Sequence, residues 1–168
     1  MSVIIGYQGI GKSSISGNGS SFIDLESSNF RIDGKRADDW YKPYGNIALD
    51  LSRQGFNVFT ASHAPLRKWL GTQNATNETI FACYPATWMK DFWIDRLQQR
   101  YDKSRSRKDL AALMNAKDRY VDNINEIIAD ADKYGFIKIE ISSYEYDLKE
   151  LIRWNIQHFE CKDAWRFD

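Results

Sequence analysis

The segment that most restricts the fold of this chain lies at residues 2–13. A short apolar run, Ser2 to Ile5, leads directly into Gly6-Tyr7-Gln8-Gly9-Ile10-Gly11-Lys12-Ser13. This octapeptide fits G-x-x-x-x-G-K-[ST], the spacing in which glycines let the backbone curl so that successive N–H groups face phosphate oxygens. A buried strand that ends in such a loop calls for a parallel sheet with ligands at the carboxyl ends of its strands. The expected nucleotide-binding set is Gly6, Gln8, Gly9, Ile10, Gly11, Lys12, Ser13 and Ser14, with Lys12 bridging the β and γ phosphates and the Ser13 hydroxyl on magnesium. Gly17, Asn18 and Gly19 follow so closely that the helix opened by Lys12 can run only one or two turns.

Further apolar runs bounded by polar or glycine residues predict strands at Phe22 to Leu25, Asn57 to Ala61, Thr79 to Tyr84 and Phe136 to Ile141. Between them, helical periodicity predicts a helix from about Tyr44 to Arg53, a short one around Leu66 to Leu70, and a longer one from about Ala86. Another runs from about Leu110 to near Gly135, and a last one carries Leu148 to Ile156. Strands alternating with helices indicate an α/β fold with a five-stranded parallel sheet covered on both faces. The whole of 1–168 reads as one domain. Lys103, Arg105, Arg107 and Lys108 stand among serines and interrupt the helical pattern, so a lid-like segment is expected at about 96–110.

Charge narrows the partners. Twenty-three basic residues balance twenty-three acidic ones, so no global field draws the chain to nucleic acid or to an anionic membrane, and any such partner must be held locally. No apolar run approaches the roughly 20 residues of a membrane span and no signal-peptide layout is present, which predicts a cytoplasmic protein. Cys83 and Cys161 lack metal-ligand spacing and read as buried thiols. The triplets Asn74-Ala75-Thr76 and Asn77-Glu78-Thr79 match a glycosylation sequon that has no consequence without secretion.

Asp24 and Glu26 fall at the end of the second strand, where carboxylates face a ligand. Asp24 is expected to take the proton of an attacking hydroxyl or to hold magnesium, and Glu26 to meet the substrate. Arg31, Lys35, Arg36, Trp40, Tyr41 and Tyr44 belong to a polar and aromatic insertion. Arg36, Trp40 and Tyr41 there either clamp a substrate phosphate and stack its base, or form a solvated loop with Trp40 in the core. His63 and Arg67 follow the third strand as substrate-binding candidates. Arg96 and Arg100 share one helical face beside the lid-like segment, placed to neutralise charge on a transferring phosphoryl group.

The order of these parts resembles the nucleoside monophosphate kinase-like group of P-loop kinases, which includes shikimate, gluconate and polynucleotide kinases. Gly6 to Ser13 is the specific part of that resemblance. The chain also looks like small bacteriophage-encoded kinases described as deoxynucleoside monophosphate kinases. The resemblance implies a three-layer fold with strand order 2-3-1-4-5, a small helical lid, ATP and Mg2+ at the loop, an acceptor or metal role for Asp24, and lid arginines at Arg96 and Arg100. Ala61-Ser62-His63 departs from the Asp-Gly signature of true monophosphate kinases and leaves the acceptor open. The expected activity is ATP- and magnesium-dependent phosphoryl transfer to a hydroxyl or phosphate of a nucleotide or nucleoside. The alternatives are a kinase for a hydroxyl of nucleic acid, at a modified base or a 5′ end, and a nucleotide-binding regulatory module with little turnover.

Overall fold

Strands with apolar side chains on both faces need cover on both, and the chain supplies it with helices; the edge strand Ile137–Ile141 alternates instead, with Lys138 and Glu140 exposed. The computed structural model describes residues 1–73 and 78–164. Its sheet strands are β1 (Ser2–Gly6), β2 (Phe22–Asp24), β5 (Asn57–Ala61), β6 (Thr79–Pro85) and β7 (Ile137–Ile141), all parallel. A separate antiparallel ribbon consists of β3 (Arg31–Ile32) and β4 (Lys35–Arg36). The helices are α1 (Lys12–Ile15), α2 (Tyr41–Arg53), α3 (Ala64–Thr72), α4 (Lys90–Ser104), α5 (Arg107–Tyr134) and α6 (Leu148–Ala164). Among the described residues, no helix is long and apolar enough to cross a membrane.

The sheet order is β2-β5-β1-β6-β7. Numbered along the whole chain it is therefore not the expected 2-3-1-4-5, because the ribbon intervenes between β2 and β5. With the ribbon set aside, the five sheet strands lie second, third, first, fourth and fifth. The central strand β1 is buried along its full length, and Ser2 meets the demand of its hydroxyl by donating to Asn57 Oδ1 at 2.9 Å. Helix α2 packs on β1 and β5, α5 on β6 and β7, and α3 touches both helices. Elsewhere α6 meets α1 and sets Phe159 against Phe81. This arrangement is compatible with three layers.

The ribbon is absent from the sequence reading. Its signal was the Asp33-Gly34 pair, whose φ values of 50° and 77° are those of a tight hairpin turn that favours Asp-Gly. The lid-like segment is the tip of a hairpin of α4 and α5. Only Arg105 and Ser106 separate these helices; Arg105 is left-handed (φ 50°) and the Ser106 hydroxyl caps α5 by accepting from Asp109 N–H at 3.1 Å. Asn74 to Asn77, and with them the first Asn-X-Thr triplet and the asparagine of the second, lie outside the described residues, as does the side chain of Cys161. Cys83 is a buried free thiol on β6, as expected.

Candidate functional site

The loop between β1 and α1 depends on residues without a Cβ. A Cβ on Gly6 would lie 2.8 Å from Lys12 Cδ and 2.9 Å from Ile10 Cδ1, so glycine there lets the Lys12 stem fold back over the strand end. Gly9 is left-handed (φ 82°), and its missing Cβ faces Leu97 Cδ2 at 3.0 Å and Trp93 Nε1 at 3.2 Å. The outer side of the loop is pinned by side chains. Trp93 Nε1 donates to Gln8 O, the Tyr146 hydroxyl to Ile10 O, and Gln8 Nε2 to Ala112 O, each at 2.9 Å. The Ile10 side chain is buried in the core, so only its backbone is available to a ligand.

Lys12 Nζ donates to Gly6 O at 3.3 Å and to Thr60 O at 3.4 Å. These are long bonds to neutral oxygens, and burial pulls the Lys12 pKa down while the Asp24 and Glu26 carboxylates oppose the shift. Ser13 and Ser14 are exposed, Ser14 Oγ donating to Gly11 O at 2.9 Å. Helix α1 has only four residues, so its dipole adds little; attraction for an anion rests on the loop and on Lys12.

Asp24 ends β2 and Glu26 lies two residues beyond, both lining the same cleft as Lys12. Burial raises the Asp24 pKa, Lys12 counters it, and the neighbouring Glu26 adds to it. At Glu26 burial also pushes upward, but Lys108 outweighs it: its Nζ lies 2.7 Å from Oε1 and 2.6 Å from Oε2, and Glu26 is held below its ordinary value. Tyr44 fixes the strand ends on this side. Its hydroxyl donates to Leu25 O at 2.6 Å and accepts from Ala61 N–H at 2.9 Å, tying the end of β2 to the end of β5.

Across from the loop, the Arg36 guanidinium lies over the Trp40 ring at 4.3 Å, donates to Ser27 Oγ at 2.7 Å, and approaches His63 Nε2 at 3.4 Å. Its Nε is buried without a hydrogen-bond partner among the described residues. Burial, reinforced by Arg36, Lys12 and Arg67, pushes the His63 pKa down to about 4, so this imidazole is neutral near pH 7. Trp40 is 9% exposed and packs on Tyr44; it stands under Arg36 and not in the cleft. Tyr41 packs edge-on against Trp40 and does not line the cleft either. Of the two readings of Trp40, the core one holds. Arg67 reaches the cleft wall, but its Nε donates to Asp130 Oδ2 at 2.7 Å and its Nη1 to Ser62 O, at 4% exposure. Its guanidinium anchors α3 to α5 rather than standing ready for a phosphate.

From the other side come α4 and α5. Arg96 is half-buried against the Trp93 and Tyr146 rings, 5.5 Å from each, and its Nη2 lies 3.7 Å from the position a Cβ on Gly11 would take. Arg100 pairs with Asp109 at 2.5 Å, an acid that also accepts from Ser104 Oγ. That knot fastens the hairpin tip. Arg107, Lys108 and Arg119 also line the cleft and had no assigned role in the sequence reading, although the first two belong to the basic stretch it singled out.

The cleft encloses about 940 Å³ and is lined by nine Lys or Arg side chains against three Asp or Glu. A chain with no net charge thus gathers basic side chains at one place, where Arg67, Arg100, Lys108 and Arg119 are paired with carboxylates. Among the described residues no three His, Cys, Asp or Glu side chains group as a metal cage. The Ser13 hydroxyl and the Asp24 carboxylate are hard oxygen donors of the kind that hold magnesium jointly with substrate phosphates. Comparison with protein-family models gives no match to this chain, and comparison with curated proteins gives none, so the site rests on its own chemistry.

Proposed function

We propose that the chain is a magnesium-dependent phosphotransferase that binds ATP at the phosphate-cradling loop Gly6 to Ser13 and passes its terminal phosphoryl group to a nucleotide or nucleoside. The observation that carries this reading is the convergence of Lys12, Asp24, Glu26 and Arg96 on one positively lined cleft at the carboxyl edge of a parallel sheet.

Lys12 would exchange its two long carbonyl contacts for charge-assisted bonds to the terminal phosphates. Magnesium, when bound, supplies charge neutralisation between phosphate oxygens, with Ser13 and Asp24 as fitting ligands. Asp24 would either hold that magnesium or, with its pKa raised by burial where no metal sits on it, take the proton of the acceptor hydroxyl as the oxygen forms its bond to phosphorus. The bond to the leaving diphosphate breaks in the same transfer and keeps its electron pair there. Arg96, beside Gly11, would stabilise the charge that develops on the transferring group, a contribution on the order of a thousandfold in related chemistry. Arg36 would meet an anionic acceptor on the far side, through the fork face not occupied by Ser27.

The experiment is magnesium–ATP turnover against nucleosides, nucleotides, hydroxylated metabolites and short DNA or RNA, following ADP release and the destination of the phosphate by mass. One acceptor that stimulates ADP release and gains the phosphate is the expected result. ATP binding with no acceptor in the panel would overturn the transferase reading in favour of a regulatory module.

A further inference from the structure

Strands β6 and β7 run side by side with Pro85 opposite Ile141, and three residues beyond each the chain sets a large ring, Trp88 after β6 and Tyr144 after β7. The two rings meet edge to face, their centroids 5.6 Å apart and their planes at 85°. Phe92, one helical turn beyond Trp88, stands 4.9 Å from Tyr144. Trp88 is 59% exposed and Tyr144 57%, so most of both rings stays in water, while Phe92 is half-buried. None of the three lines the cleft.

The charges beside these rings have one sign. Asp91 and Asp95 follow Trp88 by three and seven residues, which places them with Trp88 and Phe92 along one side of the helical turns, and Glu145 adjoins Tyr144. All three acids are exposed, and none has an ion pair or hydrogen bond among the described residues. Lys90 falls on the opposite side of the first turn of α4, and Arg96 is turned to Trp93 and Tyr146. Elsewhere in the chain, exposed ring faces hold arginines: Arg36 lies 4.3 Å over Trp40 and Arg105 lies 5.3 Å over Tyr101. Trp88 and Tyr144 have the rings and the carboxylates but no cation between them.

A guanidinium meets both demands, because its plane stacks on a ring while its N–H fork reaches a carboxylate. A nucleic-acid strand has bases to stack, but its phosphates would face three unpaired acids. We infer that Trp88, Phe92 and Tyr144 form a docking surface for a basic segment of a partner protein. An arginine of that segment lies on the exposed rings, with Asp91, Asp95 and Glu145 around its charge. The surface is separate from the cleft, and the inference stands whether or not the chain transfers phosphate.

The test uses the full chain and two peptide probes of equal charge, acetyl-hexaarginine amide and acetyl-hexalysine amide, titrated by calorimetry in low salt. Tryptophan indole N–H resonances are followed by NMR, the Trp88 signal being assigned by its loss in Trp88→Phe. Hexaarginine is expected to shift the Trp88 signal and to bind about fivefold or more tightly than hexalysine. Trp88→Ala combined with Tyr144→Ala should weaken hexaarginine about tenfold and bring the two peptides within about twofold; both side chains are exposed, so the fold is spared. Trp88→Phe, which keeps a ring, should retain most of the preference for arginine. Asp91→Asn with Asp95→Asn and Glu145→Gln should weaken both peptides alike, by about fivefold or more, and less as salt is added. Equal affinity of the wild type for the two peptides, an affinity unchanged in the double variant, no binding, or a Trp88 signal left in place would each overturn the inference. A Trp88 shift produced by a short oligothymidylate and not by hexaarginine would overturn it in favour of nucleic acid.

Discussion

Replacing Tyr44 by Phe removes one oxygen and leaves the ring in its contacts with Phe30 and Trp40. That oxygen makes two hydrogen bonds, to Leu25 O and from Ala61 N–H, which hold together the strand ends carrying Asp24 and Ser62. Two net hydrogen bonds amount to about 2 kcal/mol, rising toward about 4 kcal/mol where the orphaned carbonyl and N–H are not recaptured by water. For a chain of this size, that range corresponds to a fall of about 5 to 10 °C in Tm. Since β2 loses a lateral tie next to Asp24, kcat should drop by about tenfold or more while the KM for ATP, set across the cleft at the loop, hardly moves. Differential scanning calorimetry and steady-state turnover on the same preparation read both effects. A Tm within about 2 °C of the wild type would refute the claim that this phenol secures the two strands.

Other substitutions address the cleft and its walls. Lys12→Ala should lower turnover by about two orders of magnitude or more and leave the fold intact, because the ammonium makes only two long contacts to neutral oxygens; unchanged turnover would remove the loop from the mechanism. Asp24→Asn should spare ATP binding and abolish transfer. It should also raise Tm at pH 7: with the folded pKa above the unfolded one, the stability linked to this group is present below about pH 4 and lost as pH rises through the raised value, so the ionised carboxylate burdens the neutral fold. For the same reason the acid limb of the rate profile should lie above the ordinary carboxylate range, and Lys108→Ala, which deletes a charge that lowers the Asp24 pKa, should move it further up; a limb that stays in place would exclude Asp24 as the base. Arg67→Met leaves Asp130 without its buried partner and should cost about 3 kcal/mol in urea unfolding; a change below about 0.5 kcal/mol would contradict the anchor assigned here.

What could be read from the amino-acid order was whatever depends on neighbours in the chain. The strands followed from apolar runs ending in polar residues, and the loop followed because all eight of its residues are contiguous. Asp24 was legible because a strand end is a local fact with a known orientation. The ion pairs of Arg67 and Arg100 were not legible, because their partners, Asp130 and Asp109, lie 63 and nine residues away on other elements, and charge partners across such gaps leave no pattern. Trp40 could have faced the cleft or the core until Tyr44 settled the matter by packing against it. The departure of α5 from helical geometry at Arg119 (φ −135°, ψ 23°) had no local sign, being in a stretch without proline or glycine, next to a Tyr120 that reaches Ala86 just past the end of β6.

The bond between Glu26 and Lys108 joins the rim of the sheet to the tip of the hairpin across the mouth of the cleft, and both partners are substantially exposed to solvent. Under the proposed function, entry of a polyphosphate would be an exchange of partners, the newcomer taking Lys108 and setting Glu26 free. A liberated carboxylate two residues from Asp24 makes the loss of a proton there harder and its uptake easier. Occupancy of the cleft would then make Asp24 a stronger base for the acceptor proton, an effect that weakens as added salt loosens the original pair.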